Sequence, residues 1–200
     1  MKSGCFYGIV RSVRKNAASD WFGLGVYGGM RGTKSILAAL AVVLASALPA
    51  AAEEDGKDPS FIRFGAGYYD VNDDMGAGEF HMEYISGSKW WVFNPFVGVM
   101  ATTDSAFYGY AGVRLDMFLG RRFVVTPSFA PGLYHDGDGK DLGYPIEFRS
   151  AIEFAYRFDD RSRLGLSFYH LSNASLDDNN PGTEVATIHY SYPFNRLFND

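Results

Sequence analysis

The sequence predicts an all-β fold, an eight-stranded antiparallel transmembrane β-barrel of outer-membrane type. Three observations carry this reading. After residue 60, eight segments alternate with a period of two, each near the ~9–11 residues a tilted membrane strand needs. One face of these segments is rich in aromatics and branched aliphatics, in a 200-residue chain with 13 Tyr and 17 Phe, and the other carries small and charged residues. An export-type segment precedes them. A barrel in water hides its apolar face inside. Here Glu147, Arg149, Glu153, Arg157 and Arg163 line the face opposite the aromatics, which suits the inverted arrangement with apolar residues towards lipid. Closure also removes sheet edges, which hydrocarbon does not tolerate.

The segments follow in order. In 61–70, Ile62, Phe64, Ala66 and Tyr68 share a face against Arg63, Gly65 and Gly67. In 79–86, Phe80, Met82 and Tyr84 oppose Glu79, His81 and Glu83. In 91–101, Trp91, Phe93, Val97 and Val99 oppose Asn94 and Gly98. In 107–117, Phe107, Ala111, Val113, Leu115 and Met117 oppose Arg114 and Asp116. In 122–131, Phe123, Val125 and Phe129 oppose Thr126 and Ser128. In 146–158, Ile146, Phe148, Ile152, Phe154, Tyr156 and Phe158 oppose Glu147, Arg149, Glu153 and Arg157. In 162–172, Leu164, Leu166 and Phe168 oppose Arg163, Gly165 and Ser167. In 184–194, Ala186, Ile188, Tyr190, Tyr192 and Phe194 oppose Thr187, His189 and Ser191. Gly, Asp, Asn and Ser fill the connections, as antiparallel hairpins require. Those near 87–90, 118–121 and 159–161 are short. Those at 70–78, 131–145 and 173–183 are longer and are expected at the cell surface.

Ahead of the strands, Arg31 and Lys34 give a basic start, residues 35–45 an apolar run, and Ala50-Ala51-Ala52 a small-residue cleavage site. We read 30–52 as a signal peptide, with translation starting at Met30 and residues 1–29 an upstream extension. Residues 53–200 are then a single barrel domain. Of 18 Lys+Arg and 23 Asp+Glu, six basic residues and one acid fall before residue 53, leaving a formal net charge of −10. That argues against nucleic acid as a partner. The one cysteine, Cys5, lies outside the domain and allows no internal disulfide.

The chemistry-bearing stretch is Tyr169-His170-Leu171-Ser172-Asn173-Ala174, followed by Asn180-Pro181-Gly182-Thr183-Glu184. By parity His170 and Ser172 continue the outward face of Leu164, Leu166 and Phe168, and Glu184 that of Ala186, Ile188 and Tyr190. Ionisable and polar side chains facing lipid are costly unless they pair or do work. Antiparallel neighbours on one face can touch, so Ser172 can serve as nucleophile, His170 as base and Glu184 as the acid that fixes the imidazole tautomer. Asn173 or nearby loop N–H groups are candidate oxyanion donors. The bland reading of the same residues is a set of polar rim groups and loop caps.

This stretch is similar to the C-terminal signature of the outer-membrane lipid A 3-O-deacylase (PagL) family. The resemblance implies an eight-stranded barrel with a membrane-facing Ser-His-Glu triad that hydrolyses the ester-linked 3-hydroxyacyl chain at position 3 of lipid A. It implies His170 as base, Ser172 as nucleophile, Glu184 as acid, and Asn173 with Ser175 at the oxyanion. Ser175 stands where some members have Gly, and Asn195–Asp200 runs past the expected terminal aromatic Phe194. The implied partner is lipopolysaccharide in the outer leaflet, with a homodimer open, and no cofactor or metal is called for. The rival from another class is a non-enzymatic barrel serving adhesion or envelope integrity. His81 and His189 are expected to join lumen hydrogen bonds, and Asp136–Asp141 to form a solvated loop, since Lys140 and Asp141 break a calcium-loop pattern.

Overall fold

The computed structural model describes residues 58–197. The segments read as upstream extension and signal peptide lie outside the described residues. The strands are β1 (Phe61–Tyr69), β2 (Ala77–Ile85), β3 (Asn94–Thr102), β4 (Phe107–Arg114), β5 (Met117–Leu119), β6 (Phe123–His135), β7 (Ile146–Arg157), β8 (Arg163–Ser172) and β9 (Thr183–Pro193), followed by a one-turn 3-10 helix at Phe194–Leu197. Every neighbouring pair is antiparallel. The order runs β4-β3-β2-β1-β9-β8-β7-β6-β5, and β4 also pairs with β6, which closes the sheet. β4 and β5 are two pieces of one stave, interrupted at Leu115-Asp116, so the closed barrel has eight staves, as expected.

Parity holds around the ring. Phe64, Phe80, Phe129, Phe154, Leu166 and Ile188 are exposed on the outside, while Arg63, Glu83, Arg114, Arg149, Glu153 and Arg163 are buried inside. An eight-stranded barrel is just wide enough for side chains to fill, and here they do so as paired charges. Arg63 donates from Nη1 to Glu83 Oε2 at 3.0 Å and to Glu153 Oε2 at 2.8 Å. Arg114 Nη2 reaches Glu153 Oε2 at 3.1 Å, and Arg163 Nη1 reaches Asp116 Oδ2 at 2.6 Å. Burying these charges is tolerable because each meets an opposite charge. Towards the end that carries the long loops the filling turns aromatic, with Tyr69, Tyr108, Tyr110, Tyr134 and Tyr169 buried around Leu171 and Val185.

Three local expectations need correction. β3 begins at Asn94 rather than 91, because Trp90 and Phe93 pair with each other and lengthen that turn. β6 continues to His135, past the expected strand end at 131; Pro131 sits outward in the ladder opposite Phe148 and keeps the parity. The 136–145 connection is not wholly solvated. Lys140 and Leu142 are buried, and Lys140 Nζ donates to Asp70 Oδ1 at 2.7 Å and also to Asp73.

Candidate active site at the loop end of the outer barrel face

The outward rows of the staves are apolar almost throughout. Tyrosines apart, and with His135 at the last position of β6, the polar side chains in these rows are Ser150, His170, Ser172 and Glu184. The four are contiguous. Register pairs Ser150 on β7 with His170 on β8, and His170 with Glu184 on β9. Ser172 lies two residues along β8, opposite Phe148 of β7. The patch sits where β8 and β9 enter the 173–182 loop.

Within the patch His170 Nδ1 is 3.1 Å from Glu184 Oε1, with the two side chains 45% and 28% exposed. With Glu184 ionised, Nδ1 carries the proton and donates, which leaves Nε2 as the basic nitrogen. Gly182 explains where Nε2 points. The β8–β9 ladder, continued one step past Thr183, sets Gly182 beside Ser172. A Cβ on Gly182 would lie 2.8 Å from His170 Cε1 and 3.3 Å from Nε2. The imidazole tip therefore occupies the space that a side chain at 182 would take, level with Ser172. Gly182 also holds φ +62°, in the left-handed region that glycine adopts without penalty. No hydrogen bond joins the Ser172 hydroxyl to the ring in this state; the two side chains share a face and an edge.

Three loops are laced together behind the patch. Asp70 Oδ1 accepts from Lys140 Nζ at 2.7 Å and from Thr183 Oγ1 at 2.8 Å, and Val71 N–H donates to Glu184 O at 3.0 Å. Burial works against both charges of the Asp70–Lys140 pair, but the pairing outweighs it. The Lys140 ammonium and the Thr183 hydroxyl hold the Asp70 carboxyl below the usual carboxylate range, and Asp70 and Asp73 hold Lys140 above the usual lysine range.

Asn173 points into the loop. Its side chain is fully buried, not turned to the outer face. Nδ2 donates to Leu142 O at 3.0 Å and to Asn179 O at 2.8 Å, its backbone N–H donates to Asn180 Oδ1 at 3.0 Å, and its Oδ1 accepts from Ser175 N–H at 2.9 Å. All its donors are committed, and so is the Ser175 amide. In this state the Asn173 amide, its backbone N–H and the Ser175 N–H organise the loop, and the exposed Ser175 hydroxyl makes no hydrogen bond to another described residue. Ala174 and Ser175 both hold positive φ, 53° and 62°, which gives a physical reason for a glycine to be favoured at 175.

A family model described as lipid A 3-O-deacylase (PagL) matches residues 62–193. The chain belongs to this family. Among curated PagL-family relatives, the lipid A deacylase PagL of Bordetella bronchiseptica (strain ATCC BAA-588 / NCTC 13252 / RB50) is 26% identical over 106 residues, 53% of this chain and 46% of that protein. The chain thus spans about half the length of the curated relative it matches. A crystal structure of the outer membrane enzyme PagL superposes with a TM-score of 0.54 at 16% identity, covering 66% of this chain and 99% of that one, a likeness that speaks to the fold.

Of the residues expected at a PagL-type site, the structure brings His170, Ser172 and Glu184 onto one outward patch and turns Asn173 away from it. The lumen histidines lie where parity put them. His81 Nδ1 meets Glu79 Oε1 at 2.9 Å, whereas His189 Nε2 lies 3.3 Å from Glu153 Oε1 outside hydrogen-bonding geometry, so the expected lumen hydrogen bond is made by His81 and not by His189. Asp177 and Asp178 are exposed loop charges. Sequence reasoning missed Ser150. The signal was present: Ser150 is the one residue among Ile146, Phe148, Ile152, Phe154, Tyr156 and Phe158 that breaks the apolar row.

Proposed function

We propose that this chain is an outer-membrane esterase that hydrolyses the 3-O-linked 3-hydroxyacyl chain of lipid A in the outer leaflet. The observation that carries the reading is the polar patch itself. An imidazole bonded to a carboxylate, with a serine on the same strand, stands on a face otherwise built for lipid. Such groups are costly there without a task, and an ester at headgroup depth gives them one. Family membership supports the same substrate.

In this mechanism Ser172 Oγ attacks the ester carbonyl carbon while its proton passes to His170 Nε2. Glu184 holds the tautomer and stabilises the imidazolium. The tetrahedral intermediate collapses, the C–O bond to the sugar breaks, and Nε2 returns the proton to the leaving alkoxide. Water repeats the sequence on the acyl-enzyme and releases the hydroxy fatty acid. Asn173 and Ser175 support the reaction by fixing the loop after Ser172. Residues 30–52 serve export on this reading.

Ser172→Ala is expected to abolish release of 3-hydroxy fatty acid from lipopolysaccharide, measured by mass spectrometry of lipid A, while the barrel keeps its heat-modifiable mobility in gels. Full activity in that variant removes Ser172 as nucleophile.

A further inference from the structure

We infer that Ser150 is a further catalytic residue, whose hydroxyl donates a hydrogen bond to the oxyanion formed on the carbon bound to Ser172. The inference rests on the esterase reading above and adds a group from a different strand.

The position argues first. Ser150 is exposed and outward on β7, in register with Phe129 on one side and His170 on the other. Phe129 and Phe148 stack beside it at 5.9 Å with planes 15° apart, so its surroundings away from His170 are apolar. Its hydroxyl makes no hydrogen bond to any other described residue. An unpartnered hydroxyl on an aromatic, lipid-directed surface costs about 1–3 kcal/mol, and Ala or Val would fill the place more cheaply.

The chemistry argues second. Acyl transfer needs a donor aimed at the developing oxyanion. Three loop donors close to Ser172 in sequence, the Asn173 amide, its backbone N–H and the Ser175 N–H, are spent inside the loop, which leaves room for a donor from a neighbouring strand. Ser150 and Ser172 are diagonal neighbours across the β7–β8 pair, with Cβ atoms about 7 Å apart or somewhat less. A Cβ–Oγ–C–O⁻ arm from Ser172 and one hydrogen bond from Ser150 Oγ span that gap.

The geometry also divides the roles of the two serines. The imidazole tip leans towards Gly182, on the β9 side of β8, whereas Ser150 lies on the β7 side. Nε2 therefore serves Ser172, and Ser150 stands on the opposite flank of the acyl carbon. When Ser172 Oγ bonds to that carbon, the carbonyl π pair moves onto oxygen and the Ser150 O–H donates to it. On collapse the C=O re-forms, the ester C–O bond breaks, and Ser150 keeps its proton throughout.

The test compares Ser150→Thr with Ser150→Val in detergent-purified, full-length protein. The two side chains share shape and differ by the hydroxyl, so folding and packing effects cancel between them. Ser150→Thr is expected to keep at least a tenth of wild-type kcat, and Ser150→Val to lose about 10²–10³-fold in kcat at unchanged KM. Equal activity of the two variants overturns the inference and leaves Ser172 as nucleophile untouched. A serine-directed phosphonate should attach to Ser172 in wild type and, more slowly, in Ser150→Val. Attachment to Ser150 instead overturns both this inference and the triad.

Discussion

Replacing Gly182 with alanine tests whether the imidazole is set by empty space. The new Cβ would meet His170 Cε1 at 2.8 Å and Leu171 O at 3.2 Å. Ordinary van der Waals contact starts near 3.4 Å, so the ring must retreat by about 0.6 Å, and a side chain gives way more easily than a carbonyl in the ladder. A misplacement on the order of 1 Å at a reacting group can cost about 10²-fold in rate. The left-handed backbone adds about 1–2 kcal/mol against any residue with a Cβ. A closed eight-stave sheet withstands a loss of that size. Gly182→Ala is therefore expected to fold, to lose about 10²-fold in kcat, and to change KM little. Fatty-acid release from lipopolysaccharide gives the rate, and heat-modifiable gel mobility gives the fold. A folded variant with activity within twofold of wild type refutes the idea that Gly182 makes room for the base.

Glu184→Gln replaces the carboxylate at Nδ1 with an amide that lacks the charge and can present an N–H, which sets the wrong tautomer. By analogy with other triads turnover should fall by about 10⁴-fold; a change within twofold in fatty-acid release would place the acid elsewhere. Lys140→Met leaves Asp70 buried without its cation, and loss of a hydrogen bond to a charged group costs about 2 kcal/mol. Thermal unfolding in detergent should show that loss, and a melting temperature equal to wild type would mean that the loops are held by other contacts. The same pair sets a pH window. Asp70 has a folded pKa below its unfolded one, so its contribution is present above about pH 3.9 and lost as pH falls through the folded value. Lys140 has a raised folded pKa, so its contribution is whole below about pH 10.4 and lost as pH rises through the folded value. In Lys140→Met the acid limb of the melting curve should flatten; an unchanged limb would remove Asp70 as its source.

Parity was the legible part of this sequence. Side chains alternate strictly along a strand, so Phe64 against Arg63, or Leu166 against Arg163, fixes which face is which without coordinates. The charge partners inside the lumen were not legible. Arg63 meets Glu153 across 90 residues of sequence, and such pairings depend on barrel stagger, which alternation does not encode. Loop packing was hidden for a similar reason. Lys140 reads as a solvated charge until the Asp70 carboxylate is found beneath it. Asn173 was ambiguous because its type suits two tasks, donating to an oxyanion or tying a loop. The Leu142 and Asn179 carbonyls that it meets in this structure come from residues that the sequence does not place beside it.

The barrel contains described histidines in two settings, and the contrast argues where chemistry belongs. His81 and His189 are buried in the lumen, with rings 6.5 Å apart and carboxylates of Glu79 and Glu153 close by. As a hydrogen-bonded imidazole–carboxylate pair, His81–Glu79 resembles His170–Glu184. However, Gly65 and Gly165 already spend their missing side chains on making room for these rings, since a Cβ on either would fall within 2.5 Å of a ring atom. A lumen packed that tightly admits no acyl chain. His170 differs by one step of parity. It stands on the outer face, beside a serine and a stack of phenylalanines, where the proposed ester substrate would approach. The same pair of residue types thus fills the barrel on one side of the sheet and stands exposed on the other.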